Sequence, residues 1–447
     1  MLVATQRRDQ ALARAAAALW PAAVASAVGG YALAWSWSDV LARIGNAVFW
    51  ASTAAIAVAA VVEAGSSPVV RRWLLVCATV AAVIAASALW SIAPAETIRG
   101  AVVFSAVLLI AALAGAQLRR DVAADTRLVS ALAWLTPGAL ALCAVIAAVG
   151  WADPARVEGP GASGFFNGPN ALGIFLALTV PFFLGRAREA RWSVAGVVVL
   201  ALASFTVALS GGRTGLFALL LAVTAFGIGR RRAAVFARDL AVALAAIALA
   251  LAWMPAVPAL GETIVPVEAE GVNPEGATPP PEVLGGDPVP GQSRWSALVG
   301  ARDEAWEEGV RLLDERPLGG HGFATGSHLF DRYESRERFR FFVGAFASGT
   351  NVHNSYLELL LELGVVGAVL LLVPFVLALA AAAAILLRGR PGLAEAAFGA
   401  TLVAAAAAAW FESTLGRFGS LSLLSWMAAG AVVALWLRRR GPQARSD

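Results

Sequence analysis

The sequence predicts an all-α integral membrane protein with about twelve transmembrane helices and a partly helical extracytoplasmic loop. This fold class follows from the composition of the chain and from the distribution of its arginines. Hydrophobic residues make up 59% of the 447 positions and charged residues only 14%. That leaves too little polar surface to coat a soluble domain of this size. A lipid bilayer is therefore expected to supply most of the solvent around the folded chain.

Twelve apolar segments are long enough to cross a bilayer, since about 20 apolar residues span a hydrocarbon layer of roughly 30 Å. They lie at residues 15–36, 44–62, 73–91, 98–116, 130–150, 168–185, 193–209, 214–229, 236–256, 364–387, 394–412 and 420–437. The predicted organisation is five helices in residues 1–150, four in 151–256, a loop over 257–355, and three helices in 356–447.

Arginine clusters alternate with the predicted spans and provide a check on this count. All 34 basic residues are arginines, and the cytoplasmic loops of membrane proteins retain positive charge. Both termini are therefore predicted to be cytoplasmic, and the large loop is predicted to be extracytoplasmic. The basic blocks are short and adjoin apolar runs, which argues against nucleic-acid binding. The clusters are Arg7, Arg8 and Arg14; Arg71 and Arg72; Arg119, Arg120 and Arg127; Arg186, Arg188 and Arg191; Arg230, Arg231, Arg232 and Arg238; Arg388 and Arg390; and Arg438, Arg439 and Arg440.

The outer loop has two parts of different character. Residues 257–292 are rich in proline and glycine and contain acids but no base, which predicts a flexible insertion without chemistry. Residues 293–355 are predicted to be folded. They begin with an amphipathic helix whose apolar stripe includes Trp295 and Trp306.

Two arginines on the predicted outer side are candidates for binding an anion. Arg302 lies in the apolar stripe between the two tryptophans, where an unpaired cation is costly and an anionic partner is implied. A structural salt bridge or a snorkelling side chain is the alternative. Arg213 lies in the tight turn of residues 210–214, where the amides of a helix N-terminus would add to an anion site. A simple interfacial anchor is the alternative there.

All three histidines of the chain, His321, His328 and His353, lie in the outer loop. His353 directly precedes a segment that becomes apolar, and imidazole exchanges protons near neutral pH, so His353 is the candidate general base. A hydrogen-bonded packing residue is the alternative. The wide spacing of the three histidines matches no compact zinc pattern and no cysteine lies among them, so no metal site is predicted.

Two further segments of the loop have compositions that allow more than one interpretation. Residues 317–322 form a glycine-rich bend that either presents backbone amides to a phosphate or turns the chain. Residues 331–342 mix arginines with aromatic residues, which suits a segment lying along anionic headgroups or receiving a polyanion.

Taken in order, these segments resemble the O-antigen ligase and polymerase family of bacterial envelopes, whose fold is that of the C-type glycosyltransferase superfamily. The resemblance covers about residues 160–437. It rests on Phe165-Phe166-Asn167-Gly168-Pro169-Asn170-Ala171, Ser210-Gly211-Gly212-Arg213, Arg302-Asp303-Glu304-Ala305-Trp306, Pro317-Leu318-Gly319-Gly320-His321-Gly322, His353-Asn354-Ser355-Tyr356-Leu357-Glu358 and Glu362-Leu363-Gly364.

The resemblance implies a membrane glycosyltransferase that needs no metal or other cofactor. It would move a glycan from a polyprenyl-diphosphate carrier to the hydroxyl of a glycolipid or glycan acceptor, at the outer face of the cytoplasmic membrane. Arg213 and Arg302 are then assigned to the diphosphate and His353 to deprotonation of the acceptor. The supporting residues are Asn170, Arg294, Trp306, His321, Asn354 and Tyr356.

The sequence leaves several functions open. A ligase that loads a lipid, a polymerase that extends a repeat unit and a transferase to protein would share this donor chemistry. A lipid-linked oligosaccharide flippase or another transporter would also have many spans and outward arginines. Transporters usually carry polar residues at mid-span, whereas most span centres here are Ala, Val and Leu. A membrane sensor is disfavoured because no cytoplasmic output domain follows Arg440.

Overall fold

The computed structural model describes residues 19–34, 36, 38–148, 165–166, 169–190, 193–253, 294–326, 328–329, 352–416 and 420–440. Over residues 294–304 only the backbone is described. The predicted flexible insertion at 257–292 and the arginine and aromatic segment at 331–342 lie outside the described residues.

The described chain is helical, and its one extended pairing is an isolated antiparallel bridge between Ser36 and Phe166. Fourteen helices follow one another along it. They are α1 Leu19–Ala34, α2 Asp39–Ser66, α3 Pro68–Ala86, α4 Pro94–Arg120, α5 Val122–Ala133, α6 Leu135–Ala148, α7 Pro169–Glu189, α8 Ser193–Leu209, α9 Arg213–Arg230, α10 Ala233–Trp253, α11 Arg294–Glu315, α12 Ser355–Arg388, α13 Leu393–Phe411 and α14 Ser420–Arg440.

The length and composition of these helices confirm an all-α membrane protein. Ten stretches of the described chain are long and apolar enough to cross a bilayer, with α5 and α6 together forming one of them. The shorter apolar helices α1 and α8 are the further two segments that the sequence predicts as spans. The number twelve stays a prediction. The amphipathic helix predicted in the outer loop corresponds to α11.

Four helices form the centre of the bundle. Most residues of α4, α7, α13 and α14 are buried, whereas α2, α3 and α10 expose most of theirs. The centre is rich in alanine, and small side chains let helix backbones approach closely where the surrounding lipid gives no hydrophobic drive for association. The peripheral helices leave large apolar residues such as Val58, Val61 and Leu75 more than half exposed. Such a surface suits contact with lipid chains.

The glycine-rich bend of residues 317–322 docks into a break in α12. Gly364 has a φ of 64° inside this helix, so the helical hydrogen bonds across it are interrupted. Val365 N–H donates instead to the Pro317 carbonyl at 2.8 Å. The His321 and Gly322 N–H groups donate to the carbonyls of residues 361 and 362 at 2.9 and 2.8 Å. These two amides are therefore used to attach the outer loop to a membrane helix and not to cradle a phosphate.

The same bend is attached to the N-terminal half of the protein. The Trp90 indole donates to the Gly319 carbonyl at 2.8 Å, and Arg316 donates to the Trp90 carbonyl at 2.9 Å. The Thr97 hydroxyl, near the start of α4, donates to the Phe323 carbonyl at 2.8 Å. The N-terminal helices thus support the outer loop, although the resemblance found in the sequence begins only near residue 160.

The central helix α7 and its neighbour α9 approach each other closely at a pair of glycines, Gly173 and Gly215. A β-carbon placed on Gly215 in α9 would lie 2.6 Å from the Cα of Gly173 in α7. Both glycines lie within the first turns of their helices, so α7 and α9 run in the same direction and begin at the same end of the bundle. This contact sets the positions of Asn170 and Arg213, which lie near the two helix starts.

Replacing Gly215 with alanine is expected to destabilise the protein, because the added methyl group meets main-chain atoms that have little room to shift. Overpacking of this kind costs about 1–3 kcal/mol. We expect a lower thermal unfolding midpoint in detergent and reduced activity, measured on the purified full-length protein. Gly138→Ala in α6 is the matched control, because nothing lies within 4 Å of its added β-carbon. Equal unfolding midpoints in the two variants would contradict the close contact.

Candidate active site

His353 occupies a fixed and strained position directly before α12. Its φ is 46°, in the left-handed region that residues with a β-carbon seldom adopt. Two contacts hold the backbone on either side of it. The Trp306 indole donates to the Val352 carbonyl at 2.8 Å, and the Asn354 side chain caps α12 by accepting the N–H groups of residues 356 and 357. Strain of this kind persists where the surroundings determine the conformation, and it concentrates at functional sites.

The imidazole of His353 contacts a carboxylate that comes from a distant part of the chain. Its Nδ1 lies 3.1 Å from Oε2 of Glu412, the residue that follows α13. Asn170, in the first turn of α7, donates from Nδ2 to the other carboxylate oxygen, Oε1, at 2.7 Å. Residues at or beside the ends of three helices thus contribute one side chain each to a single hydrogen-bonded row. Among the sequence-predicted site residues, the structure joins Asn170 and His353 through this carboxylate.

A buried serine fixes the turn that carries Glu412. The Ser355 hydroxyl donates to the Glu412 carbonyl at 2.8 Å and accepts the N–H groups of Thr414 and Leu415 at 2.6 and 3.0 Å. Ser355 is the first residue of α12 and is fully buried. The segment after α13 is therefore attached to the residue two positions after His353, which limits the movement of the carboxylate relative to the imidazole.

This arrangement suits general-base chemistry. A carboxylate only accepts hydrogen bonds, so its contact with Nδ1 requires the proton of a neutral imidazole to lie on Nδ1. The other ring nitrogen, Nε2, then carries the lone pair and can take a proton from a hydroxyl group. The His353 side chain is 35% exposed and that of Glu412 only 15%. The imidazole is therefore accessible while the carboxylate beneath it is largely covered.

Arg213 begins α9 at the same end of the bundle. Phe217, one turn further along α9, contacts Phe411 edge to face, with ring centroids 6.1 Å apart. Phe411 directly precedes Glu412, and a helical turn rises 5.4 Å. Arg213 therefore lies near the level of Glu412. The Gly212 N-cap position provides no side-chain cap for α9, so the amides of its first turn add positive potential beside this arginine.

The remaining predicted residues have different positions. The side chains of Arg294 and Arg302 lie outside the described residues, so their assignment stays a prediction. Tyr356 lies on the first turn of α12, and its hydroxyl donates to the Ala406 carbonyl at 2.9 Å. His321 is fully buried, with Nε2 lying 3.0 Å from the Leu312 carbonyl. The described contacts of His321 and Tyr356 are structural, while those of Trp306 and Asn354 hold the backbone around His353.

Glu412 is the site residue that sequence reasoning missed. The signal was present, because Glu412 is the only acid between α13 and α14 and directly follows an apolar span. An ionisable side chain at such a position is costly unless it has a partner. The partners themselves could not be read from the sequence, since they lie 59 and 242 positions away.

Within the described part of the chain, no group of three or more His, Cys, Asp or Glu side chains could hold a metal ion. The Glu412 carboxylate meets one imidazole and one amide there. The row of Asn170, Glu412 and His353 can orient the imidazole. Arg213, which sequence reasoning assigned to the diphosphate, is a cation at the same end of the bundle.

Comparison with known protein families identifies a similarity over part of the chain. Residues 197–372 match the model of a family described as O-antigen ligase. This range includes Arg213, Arg302 and His353, while Asn170 and Glu412 lie outside it. No curated protein matches the chain. Over residues 197–372 this membrane protein is therefore similar to the O-antigen ligase family.

Proposed function

We propose that this protein is an inverting glycosyltransferase that moves a glycan from a polyprenyl-diphosphate carrier to an acceptor hydroxyl. The observation that carries the proposal is the row formed by Asn170, Glu412 and His353 at one end of a membrane-spanning bundle. Members of the O-antigen ligase family are membrane ligases and polymerases of glycans. A base presented at the membrane surface is the group that such a transfer needs.

The reaction is a direct displacement at the anomeric carbon. Nε2 of His353 takes the proton of the acceptor hydroxyl while the acceptor oxygen forms a bond to the anomeric carbon. The bond between that carbon and the diphosphate oxygen breaks, and the diphosphate leaves with the electron pair. Because the acceptor attacks opposite the leaving group, the configuration inverts. Glu412 stabilises the imidazolium that forms, and Asn170 holds the carboxylate in place.

The leaving diphosphate needs positive charge at the point where its own negative charge increases. Arg213 and the amides at the start of α9 supply that charge in the proposal, since guanidinium matches phosphate oxygens and stays protonated. Arg302 is assigned to the same diphosphate from the sequence. Because these cations neutralise the leaving group, the scheme requires no metal ion or other cofactor, and the assay is predicted to proceed in the presence of a chelator.

The proposed location is the cytoplasmic membrane, with both termini cytoplasmic and the site at the outer face. The positions of the arginines support this orientation. Helix ends that carry Arg120, Arg188, Arg230, Arg388 and Arg438 all lie at the end of the bundle opposite His353. Positive charge is retained on the cytoplasmic side, so the His353 end is assigned to the outer face, where a lipid-linked donor and a glycolipid or glycan acceptor would meet.

The function is tested with purified full-length protein and a defined polyprenyl-diphosphate-linked glycan, offered a glycolipid, a second lipid-linked glycan and a protein as acceptors. The expected result is glycan transfer with inversion, undiminished by a chelator. Product on the glycolipid identifies a ligase, and a longer lipid-linked chain identifies a polymerase. No transfer to any acceptor, together with movement of the donor across vesicle membranes, would replace the proposal with a flippase.

Arg213→Gln is expected to weaken donor binding by about 10- to 100-fold, because hydrogen bonds to charged groups contribute roughly 1.5–3 kcal/mol each. The measurement is the KM for the lipid-linked donor, together with direct binding of the donor. Arg99→Gln is the matched control, since Arg99 lies in the first turns of α4 at the same end of the bundle and is 76% exposed. A donor KM that is unchanged in Arg213→Gln would remove this arginine from the diphosphate site.

A further inference from the structure

A positively charged cavity lies at the end of the bundle opposite His353. It has a volume of about 420 Å³ and lies between the ends of α7 and α9 and the starts of α8, α10 and α13. Four arginines line it, with an apolar wall beside them. The lining includes Arg188, Arg230, Arg232, Arg238, Leu184, Ala187, Val235 and Leu393.

The arginines of this cavity outnumber the carboxylates near it. Asp239 is 2% exposed and forms ion pairs with both Arg188 and Arg238. A single buried carboxylate therefore serves two guanidinium groups. Glu189, at the rim, pairs with Arg186, which is not among the lining residues. The cavity keeps an excess of positive charge, and Asp239 fixes two of its arginines in position.

Two other arginines contribute charge without a carboxylate partner in the described part of the chain. Arg230 is bound only to a backbone carbonyl, that of Pro391, at 3.4 Å. Arg232 is exposed at the start of α10. No ion pair joins either of them to a described acid. Their charge is therefore available to an external anion.

Two buried guanidinium nitrogens at this cavity also indicate that it binds an external anion. The Nε atoms of Arg188 and Arg230 are buried and have no hydrogen-bond acceptor among the described residues. The Arg188 guanidinium also lies over the Phe226 ring, 4.7 Å from its centroid. A buried donor that lacks an acceptor destabilises the folded state. An acceptor supplied from outside the chain would remove that cost.

We propose that this cavity binds a phosphate group, and that the phosphate is the headgroup of an anionic phospholipid. Guanidinium groups from α7, α9 and α10 can surround a phosphate whose oxygens they match in geometry. The apolar wall formed by Leu184, Val235 and Leu393 suits the first methylene groups of acyl chains, whereas a free phosphate ion would leave it without a partner. Basic pockets between transmembrane helices bind lipid headgroups in this way. This inference is independent of the proposed transfer reaction.

The test measures lipid binding by the purified full-length protein in detergent. The probes are phosphatidylglycerol, zwitterionic phosphatidylcholine and inorganic phosphate, and the readouts are the thermal unfolding midpoint and lipid retention in native mass spectrometry. We expect phosphatidylglycerol to raise the midpoint and to stay bound, and phosphatidylcholine to do neither. Stabilisation by inorganic phosphate alone would support a phosphate site but assign it to a soluble anion.

Substitutions of arginine test whether the lipid binds in this cavity. Arg230→Gln with Arg232→Gln is expected to weaken phosphatidylglycerol binding at least tenfold. The exposed Arg232→Gln alone is expected to weaken it less and to leave folding unaffected. Arg71→Gln with Arg72→Gln removes the same charge from exposed positions at the start of α3, on the same side of the bundle, and should leave binding unchanged. Equal binding by the two double variants, or no preference for the anionic lipid, would overturn the proposal.

Discussion

Replacing His353 with alanine is expected to lower glycan transfer by about 10²- to 10⁴-fold, the range typical of a lost general base. The acceptor hydroxyl is a weak nucleophile until its proton is removed. In the proposed reaction Nε2 of His353 removes this proton, because Nδ1 contacts Glu412. Donor binding should be largely retained, since the diphosphate is assigned to arginines and not to the imidazole.

The strained backbone at His353 makes a second variant necessary. Asparagine tolerates positive φ better than alanine does, so His353→Asn keeps the local conformation while removing the base. Both variants should show this loss of transfer but bind the lipid-linked donor, and added imidazole should partly restore turnover in His353→Ala. His328→Ala, at an exposed histidine of the same loop, is the control. Transfer at the level of the unmodified protein in His353→Asn would remove His353 from the mechanism.

Much of the fold is predictable because the membrane imposes a strict rule on segment length. Runs of about 20 apolar residues and the alternation of arginines between them identify the helices that the structure contains. The main difference lies at α12, which begins at Ser355 although the predicted span begins at residue 364. Glu358 and Glu362 lower the hydropathy of the first turns. The structure nevertheless buries both, and Glu362 accepts the Gly326 amide at 3.0 Å.

The glycine-rich bend at 317–322 shows why local sequence is insufficient for loops. Glycine there is compatible with a phosphate cradle and with a turn, since both need amides without side chains close by. Its partner is the break at Gly364, about forty positions later, and only the folded chain brings the two together. A helix break at one glycine cannot be read from a hydropathy pattern, because hydropathy describes side chains and not the backbone conformation at Gly364.

The site was predictable only in part, because local sequence does not show which distant residues meet in the folded chain. His353 and Asn170 belong to segments whose order resembles a known family, so their types and positions suggest a role. Glu412 belongs to none of those segments, and its importance comes from meeting both of them in space. Sequence reasoning therefore named His353 and Asn170, which the structure brings together, but missed the carboxylate between them.

Glu412→Gln is expected to lower kcat by about 10²- to 10⁴-fold while changing KM for donor and acceptor little, because it should reverse the tautomer of His353. The amide can place its oxygen toward Asn170, which donates at that position, and then its NH₂ group faces Nδ1. An NH₂ group donates, so Nδ1 must become the acceptor and the proton moves to Nε2. A protonated Nε2 in a neutral ring cannot take the proton of the acceptor hydroxyl. Catalytic histidines held by a buried carboxylate show losses of this order when the carboxylate becomes an amide.

The comparison of Glu412→Gln with other variants separates orientation of the imidazole from structural support. Glu412→Asp keeps the charge on a shorter side chain and should recover part of kcat, whereas a purely structural role for Glu412 would be served as well by the isosteric glutamine. Glu96→Gln, at a half-exposed carboxylate in the first turn of α4, controls for loss of negative charge at the same end of the bundle. Because Ser355 holds the 412–415 turn through backbone groups, the glutamine variant should keep its thermal unfolding midpoint. A loss of kcat without a loss of stability therefore identifies Glu412 as the residue that positions the base, and an unchanged kcat would leave His353 without that partner in the reaction.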